Sequence, residues 1–527
     1  MGIYWSVTGK AKWKFQFNTP IASSSRKGVV VAVANEGGKA VRGGDKPLSL
    51  KNIADGNSSL YPRFANSRSM GSWLARLPSM LPLIFVLLAT PTVIFLSICT
   101  PPFQSPDEEN HFRRSYQITC GELYSGIGGY VDRGIGEAFS PYSKLPFNRK
   151  ARVSTTDEAA AGSVKWTGQK VYDIFGNTSR YPPTGYLPQV LGVALGRIAV
   201  LTVVHTLILS RLINGAFAIF ISALSLYWCQ RGKLAMFAIL LMSTTMFLFG
   251  SCNQDASLIS ITCLAFALVS RQISEGFPLS LRMTIVLASA LLIVSLGRPP
   301  YAALLLVLLI PGLLPRWGRK PAWLPGLSLA GLLAILVVIW WIWTLEPTLS
   351  MRHITNSMAN NNVDAGMQVL YIFHHPGALP AIIRDTSPQL RVFAAGFVGV
   401  LGFVDTPMPV PYYVVMGLML LVAITAEMVY QSRFKNSATV LILIATLLGV
   451  TGIFLIEYLT FTSVGYHDIE GVEGRYLIPL AIASSIGLPR LIRSDRVYRL
   501  ATAVVVLCQF LTFFYLPKVI IERYYLR

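Results

Sequence analysis

The sequence predicts an all-α fold, a polytopic transmembrane helical bundle of about 11 spans with a large first extracytoplasmic loop. Hydrophobic residues make up 53% of the 527 residues and charged residues only 13%, which is far too apolar for an ordinary soluble protein. The mean hydropathy is +0.53, and apolar runs long enough to cross a bilayer recur along the chain. The short segments between many of these runs are rich in Lys and Arg, as cytoplasmic loops are.

Residues 1–72 precede the first apolar run and contain eleven Lys or Arg against three Asp or Glu. Such a polar, basic segment cannot bury enough apolar surface to fold alone, so we expect a disordered cytoplasmic arm. Its length argues against a cleavable signal peptide. The remaining residues, 73–527, are expected to form one membrane domain that begins with an uncleaved anchor span at residues 80–99.

Ten further apolar runs complete the predicted bundle. Their approximate limits are 205–228, 234–250, 255–270, 283–297, 300–314, 323–345, 411–430, 437–460, 475–491 and 498–517. Three of them, 255–270, 283–297 and 300–314, are short for a full crossing. We therefore expect some of these three to be tilted, broken or re-entrant.

Two long segments between the spans, residues 100–204 and 346–410, are predicted to be extracytoplasmic loops. The first ends in an apolar stretch from 187 to 204 that is interrupted by Arg197. We expect this stretch to form an interfacial helix that lies on the membrane before the chain turns inward. In the second loop, the apolar residues 391–404 are expected to form a half-helix packed into the outer face.

Charge predicts the orientation of the bundle. The segments predicted on the inner side carry Arg231, Lys233, Arg271, Arg282, Arg316, Arg319, Lys320, Arg433, Lys435, Arg490, Arg493, Arg496 and Arg499. Because basic short loops stay in the cytoplasm, we expect a multi-pass protein of the inner (cytoplasmic) membrane with a cytoplasmic N-terminus. The net charge of +20 then reflects topology and contact with anionic lipid headgroups, and indicates no nucleic-acid partner.

Nearly every unusual polar cluster falls on the predicted outer side. These clusters are residues 106–111, 181–186, 253–255, 297–301, 402–407 and 470–476. Their asymmetry predicts a single extracytoplasmic site. The sequence has no Gly-rich phosphate loop, serine-nucleophile elbow or zinc motif, and its six Cys are scattered without close pairs, so nothing supports cytosolic nucleotide chemistry or a metal cluster.

The first cluster contains three consecutive carboxylates, Asp107 to Glu109, in a chain with only 25 Asp and Glu. Carboxylates at a membrane surface near arginines suit transfer of a sugar from a lipid-phosphate donor. A carboxylate can act as general base on an acceptor hydroxyl, while cations stabilise the charge that grows on the departing phosphate. Asp107 or Glu108 is therefore the predicted catalytic base. The alternative interpretation is a solvated acidic loop.

Four residues are predicted to support this base. His111 would share a helix face with Asp107, where it could orient the carboxylate, assist a metal or simply cap an acid. Arg114 follows on the same helix and could instead pair with a neighbouring carboxylate. Asp255 could be a helix N-terminal acid that meets the dipole, and Asp405 could merely cap the turn that follows it.

Arg298 and Arg475 lie at the predicted outer ends of spans, where a basic side chain is less expected than at the inner ends. Because guanidinium groups offer forked donors to phosphate oxygens, we predict that these arginines, with Tyr476, bind the phosphate of a donor. The alternatives are snorkelling to lipid headgroups and, for Arg475, pairing with the acid of its own turn.

Taken in order, these clusters resemble the bacterial membrane proteins called domain of unknown function 2142, over roughly residues 75–520. That family looks related to the type C glycosyltransferase (GT-C) fold, whose members use polyprenyl-phosphate sugars and place a catalytic acid in the first extracytoplasmic loop. The resemblance implies a GT-C-like bundle with Asp107 and Glu108 in the catalytic position. This chain departs from the family pattern at Glu473, where Gln is expected, and in its basic arm.

The predicted function is a membrane glycosyltransferase that moves a hexosyl or pentosyl group from a polyprenyl-phosphate-linked donor to a cell-envelope glycan or lipid on the extracytoplasmic side. The alternatives are a transporter or flippase of lipid-linked glycans, a glycan ligase or polymerase, and a non-catalytic assembly partner. Transporters tend to show internal repeats and ionisable residues near mid-membrane, whereas this sequence shows no repeat and its clustered acids lie at one face. The expected partners are the donor, the acceptor and membrane lipids. The sequence requires no cofactor and leaves room for a divalent cation.

Overall fold

The structure, a computed structural model, describes residues 68–124, 126–350, 362–430, 436–489 and 494–526. Its contacts divide the chain into two units, Met1–Phe64 and Ala65–Arg527, and every described residue belongs to the second. The predicted basic arm at 1–72 therefore lies outside the described residues, except for 68–72, which begin the first helix.

Helices dominate the described residues, which confirms the predicted all-α class. In chain order they are α1 (Arg68–Cys99), α2 (Glu108–Thr119), α3 (Arg133–Phe139), α4 (Thr155–Ser163), α5 (Gly176–Ser179), α6 (Leu187–Ile198), α7 (Val203–Trp228), α8 (Lys233–Leu240), α9 (Ser243–Phe249), α10 (Asp255–Glu275), α11 (Leu281–Gly297), α12 (Leu324–Ser350), α13 (Ala365–His374), α14 (Ala378–Thr386), α15 (Leu390–Gly399), α16 (Val410–Tyr430), α17 (Asn436–Thr460), α18 (Ile478–Ile486) and α19 (Asp495–Tyr524). Short 3-10 helices lie at Ser140–Tyr142, Pro183–Tyr186, Pro299–Leu309, Ser387–Gln389 and Gly474–Leu477.

Two small antiparallel ribbons complete the fold. In the first loop, β1 (Gly128–Asp132) pairs with β2 (Lys170–Ile174), and Gly128 lies opposite Ile174. In the second, β3 (Val400–Leu401) pairs with β4 (Thr406–Pro407). Each ribbon closes a long loop back on itself, so the two predicted loops are folded structures rather than open connections.

Within the described part of the chain, seven helices are long and apolar enough to cross a membrane. They are Leu74–Cys99, Val203–Trp228, Asp255–Glu275, Leu324–Thr344, Val410–Val429, Ser437–Thr460 and Asp495–Tyr524, and each contains or overlaps a predicted span. The other four predicted spans are shorter or broken. Residues 234–250 are divided between α8 and α9, and 283–297 lie in the short helix α11. The described part of 475–491 contains a 3-10 helix and α18, and 300–314 begin as a 3-10 helix. Eleven is therefore the number of predicted apolar runs, and seven of these runs lie in long helices in the described part of the chain.

Prolines and hydroxyl side chains explain where these segments break. Pro299 and Pro300 have no N–H to donate, so α11 ends at Gly297 and the chain continues as a 3-10 helix. Between α8 and α9, the N–H of Ser243 donates to the hydroxyl of Tyr412 at 3.2 Å. The hydroxyl of Thr245 donates to the carbonyl of Ile239 at 2.9 Å. Backbone groups that lose their helical partners are thus satisfied inside the protein, as a membrane bundle requires.

The stretch predicted as an interfacial helix, 187–204, ends its helix at Ile198 and turns directly into α7. A Cβ on Gly192 would overlap the Cα of Ser210, and one on Gly196 would lie 2.6 Å from Cγ2 of Thr206. Both positions must therefore be glycine for α6 to approach α7 this closely. The pairing of these positions shows that α6 and α7 run antiparallel as a helical hairpin.

In the second predicted loop, 346–410, residues 351–361 lie outside the described part of the chain. Residues 346–350 still belong to α12, and the chain from 362 onward folds into α13, α14, a 3-10 helix, α15 and the second ribbon. The stretch expected to be a half-helix, 391–404, contains the ten-residue helix α15. This helix packs against the turn at Gly474, where a Cβ on Gly396 would lie 3.2 Å from the Gly474 nitrogen.

Candidate functional site

Asp107 is the residue immediately before α2, and its backbone is left-handed, with φ at +57°. Few residues other than glycine adopt this conformation, which costs roughly 1 kcal/mol, but Asp and Asn tolerate it best. Both carboxylate oxygens have partners: Asn177 Nδ2 donates to Oδ1 at 3.0 Å, and Arg475 Nη2 lies 3.2 Å from Oδ2. The Asp107 side chain remains 37% exposed, so this fixed carboxylate is open to a substrate.

Arg475 gathers three acids around one guanidinium group. Its Nη2 contacts Asp107 as described, its Nη1 lies 3.4 Å from Oδ2 of Asp255, and its Nε lies 2.7 Å from Oε2 of Glu473. The side chain of Arg475 is only 5% exposed and that of Asp255 is 9% exposed. Charges so far removed from water are weakly screened and attract one another strongly. Arg475 therefore holds the acids in fixed positions relative to one another.

Arg298 approaches the same cluster from the end of α11. Its guanidinium carbon lies 3.5 Å from the centre of the Tyr476 ring, a cation–π contact, and its Nη2 lies 3.5 Å from Oδ1 of Asp255. Its Nε has no hydrogen-bond partner among the described residues. Arg298 thus turns into the protein instead of reaching for headgroups.

His111 lies one turn into α2 and is buried, with 5% of its surface exposed. Its Nδ1 lies 2.6 Å from the hydroxyl of Tyr186. Burial lowers the pKa of His111 to about 4; the carboxylates of Asp107 and Asp255 oppose this shift, and the nearby Arg475 and Arg298 add to it. The neutral imidazole therefore packs beside the acidic cluster without contributing charge.

Glu108 points away from this cluster, although it follows Asp107 directly. Its side chain is 0% exposed and forms a two-point ion pair with Arg211 of α7, at 2.8 Å to Nε and 2.6 Å to Nη2. The N–H of Cys252 also donates to Glu108, at 2.8 Å. Every oxygen of this carboxylate is occupied inside the bundle, so the two acids predicted as catalytic lie in different environments.

Arg114 and Asp405 also lie apart from Asp107. Arg114 donates to the carbonyl oxygens of Leu123 at 2.6 Å and Tyr181 at 2.9 Å, and so holds two turns of the first loop. Asp405 accepts from Arg523, 3.0 Å away, and also accepts the Thr406 hydroxyl at 2.9 Å, as a turn cap would. Both residues have structural partners that account for them.

A cavity of about 420 Å³ adjoins the cluster and is lined by Pro106, Asp405, Glu473 and Arg475 together with apolar side chains of α9 and α15. Two further arginines, Arg149 and Arg391, lie on its wall. Its volume is within the roughly 300–1,000 Å³ usual for small-molecule sites. Arg475, which pairs with the partly exposed carboxylate of Asp107, also lines this basic and largely apolar cavity.

The family model for a predicted membrane protein, domain of unknown function 2142 (DUF2142), matches residues 83–483. The chain belongs to the DUF2142 family. This match confirms the family resemblance seen in the motifs and includes the Asp107, Asp255, Arg298 and Arg475 cluster. No curated protein matches the chain, and no solved structure does.

The structure of this DUF2142 protein also shows residues that sequence reasoning missed. Arg211 and Glu457 are isolated charges within apolar runs, which is a known signal of a functional or structural partner. Arg211 pairs with Glu108, and the Glu457 carboxylate lies against Gly471 near Arg298. Asn177 offered no such signal, because it is a single amide in a polar loop.

No group of three His, Cys, Asp or Glu side chains among the described residues is arranged to hold a metal ion. The six cysteines are all free thiols. The acids of the cluster instead have arginine partners, so the charge balance of this site is made by guanidinium groups.

Acid is expected to destabilise the DUF2142 protein through His111. The folded pKa of about 4 lies below the ordinary 6.5, so the stability due to neutral His111 is complete above pH 6.5 and is lost as the pH falls towards 4. The full loss corresponds to roughly 3 kcal/mol. The melting temperature of purified protein, followed through this pH range, should fall for wild type and much less for His111→Gln. Equal acid dependence in both proteins would contradict the assignment.

Gly474→Ala is expected to destabilise the site. A Cβ at this position would overlap the carbonyl oxygen of Phe393, so α15 must move away and Arg475 must shift with it. Such overpacking costs about 1–3 kcal/mol, which a lowered melting temperature would show. Gly417→Ala is the control, because a Cβ there meets nothing within 4 Å. Equal melting temperatures for the two variants would exclude a tight contact at Gly474.

Proposed function

We propose that this DUF2142 protein is a membrane glycosyltransferase that moves a sugar from a polyprenyl-phosphate-linked donor to a cell-envelope glycan or lipid. One observation carries the proposal: the partly exposed carboxylate of Asp107 is fixed by Arg475 beside a cavity that is apolar and lined by arginines. A general base, cations for a leaving phosphate and an apolar surface for a lipid chain are the three parts that this reaction needs.

In the proposed step, an acceptor hydroxyl attacks the anomeric carbon of the donor sugar while Asp107 accepts the hydroxyl proton. The bond between the anomeric carbon and the phosphate oxygen breaks, and the lipid phosphate leaves with the electron pair. Arg298 and Arg475 stabilise the charge on that phosphate, and Tyr476 supports the Arg298 guanidinium by ring contact. Asp255 holds the two arginines, and His111 fills the space behind Asp107 without charge.

The end of the bundle that carries Asp107 is proposed to face the extracytoplasmic side of the inner membrane. At the opposite end, a polar cavity of about 820 Å³ is lined by Lys233, Arg271 and Arg499 together with the acids Glu275 and Asp495. Basic residues at one end favour the cytoplasm, so the N-terminal arm is also proposed to be cytoplasmic. Lipid-linked donors, and not nucleotide sugars, are the activated sugars that such an orientation would meet.

Envelope-glycan composition in cells that lack this protein tests the proposal. We expect one sugar to disappear and to return when wild-type protein is supplied. Accumulation of a complete lipid-linked glycan on the cytoplasmic side would instead favour a flippase, and shortened glycan chains of normal composition would favour a ligase or polymerase. The proposal assigns no cofactor, and transfer in isolated membranes with EDTA or with added Mg²⁺ tests for a divalent cation directly.

A further inference from the structure

Two exposed arginines at the cavity have no acidic partner among the described residues. Arg149, in the first loop, donates from Nε to the carbonyl oxygen of Asp405 at 2.9 Å and makes no ion pair there. Arg391, in α15, makes neither a hydrogen bond nor an ion pair with its side chain in the described part of the chain. Both guanidinium groups are therefore free to bind an anion.

The acids of the cavity do not neutralise these two arginines. Asp405 already pairs with Arg523 at 3.0 Å, and Glu473 pairs with Arg475 at 2.7 Å. The cavity wall thus carries uncompensated positive charge. Positive charge collected at a cleft raises the local concentration of anions.

The rest of the wall is apolar and continues to the surface of the bundle. Phe247, Leu248 and Phe393 line the interior. Val392, 64% exposed, and Val404, 40% exposed, line the mouth. An apolar mouth is a route for a hydrocarbon chain, because contact between such a chain and apolar side chains removes apolar surface from water.

We infer that this cavity binds a long-chain lipid monophosphate or diphosphate, with Arg149 and Arg391 as ligands of the phosphate in addition to Arg475, which lines the same cavity, and with the apolar wall around the first part of the chain. The inference deepens the proposed function and rests on it, because it places the lipid phosphate of the donor beside Asp107. Pro106, which directly precedes Asp107, and Arg475, which contacts it, line the same cavity. Free phosphate has the same anionic oxygens, but it has no hydrocarbon chain to contact the apolar wall.

Binding of farnesyl phosphate to the purified full-length protein tests the inference. We expect the double variant Arg149→Gln with Arg391→Gln to bind this probe at least about tenfold more weakly than wild type, since it loses charge-assisted hydrogen bonds. Farnesol and inorganic phosphate should each bind wild type at least about tenfold more weakly than farnesyl phosphate. Arg384→Gln is the matched control: this arginine is 75% exposed, pairs with Asp385 and does not line the cavity. It should bind the probe normally.

Four results would overturn the inference. Unchanged binding by the double variant would remove the arginines from the site. Equal binding of farnesol would show a purely apolar cavity, equal binding of inorganic phosphate would show a free-anion site, and equal competition by phosphatidylglycerol would show a general headgroup site. Both arginines are exposed, so we expect the double variant to fold, and its melting temperature checks this.

Asp107→Asn separates this inference from the proposed function. If that variant loses transfer but the double arginine variant binds farnesyl phosphate normally, the function stands and the phosphate site is wrong. If the arginines are needed for binding but Asp107→Asn keeps full transfer, the lipid-phosphate site stands and the proposed catalytic role falls.

Discussion

Asp107→Asn is expected to fold normally and to lose sugar transfer by about 100- to 10,000-fold, the usual contribution of a general base. The amide has nearly the shape of the carboxylate and tolerates the left-handed backbone at this position. It can keep a hydrogen bond to Asn177. Arg475 loses one of its three acidic partners and retains Asp255 and Glu473, so the cluster should stay assembled while the proton acceptor is lost.

Transfer is best measured as incorporation of label from lipid-linked sugars into envelope glycan in isolated membranes, at matched protein levels. Asp173→Asn is the control in the same loop. Asp173 pairs with Arg113 at 2.8 Å and is 36% exposed, so it resembles Asp107 in charge and exposure but lies outside the cluster. Full activity of Asp107→Asn with normal folding would rule out the proposed base and would make transport or scaffolding the better account.

Glu108→Gln is expected to cause a large loss of stability, about 3–5 kcal/mol, because it leaves the Arg211 guanidinium buried without a counter-charge. Arg211 is 1% exposed. It also donates to the carbonyl oxygens of Thr100 at 2.7 Å and Pro101 at 3.1 Å, so it ties the end of α1 to the start of α2. Loss of this pair should release the segment that holds Asp107. The melting temperature and the yield of folded protein measure the effect.

Two further variants serve as comparisons for Glu108→Gln. Glu137→Gln removes an acid from the exposed pair with Arg133, whose side chains are 43% and 59% exposed, and should change stability by less than about 1 kcal/mol. A double variant, Glu108→Leu with Arg211→Met, should recover part of the loss because no buried charge remains. If Glu108→Gln melts like wild type, the buried pair does not stabilise the fold.

The neighbouring acids thus have opposite expected behaviour: substitution of Asp107 lowers activity and spares stability, whereas substitution of Glu108 lowers stability first. The sequence alone, with its three consecutive carboxylates, does not show which acid has which role. Glu109 has a third environment, because it pairs with Arg113 on the next turn of α2 and burial raises its pKa. Three residues that look equivalent in the sequence therefore have three different partners.

Much of the candidate site follows from the sequence. The polar clusters at Asp107, Asp255, Arg298 and Arg475 each interrupt or end an apolar run, and polar breaks in membrane helices collect at the ends of the bundle. In the structure, Asp107, Asp255, Arg298 and Arg475 are joined by ion-pair contacts into one cluster. Arg114 and Asp405 have the same sequence signals, yet they bind backbone and Arg523, because residue type and position at a helix end do not specify a partner.

The sequence by itself determined the polytopic all-α class, the family and the gathering of polar motifs at one end, because hydropathy, proline breaks and motif order are local properties of the chain. Only the tertiary structure decided which acid stays partly exposed beside Arg475 and which one is buried. Glu108 turns inward because Arg211, 103 positions away, lies buried in α7 and requires a carboxylate. With Glu108 held in this way, Asp107 has a left-handed backbone and a partly exposed side chain. That side chain lies beside Arg475, 368 positions away. Arg149 and Arg391 likewise come to line one cavity only in the folded chain. No local sequence pattern shows that two residues so far apart in the chain share a cavity.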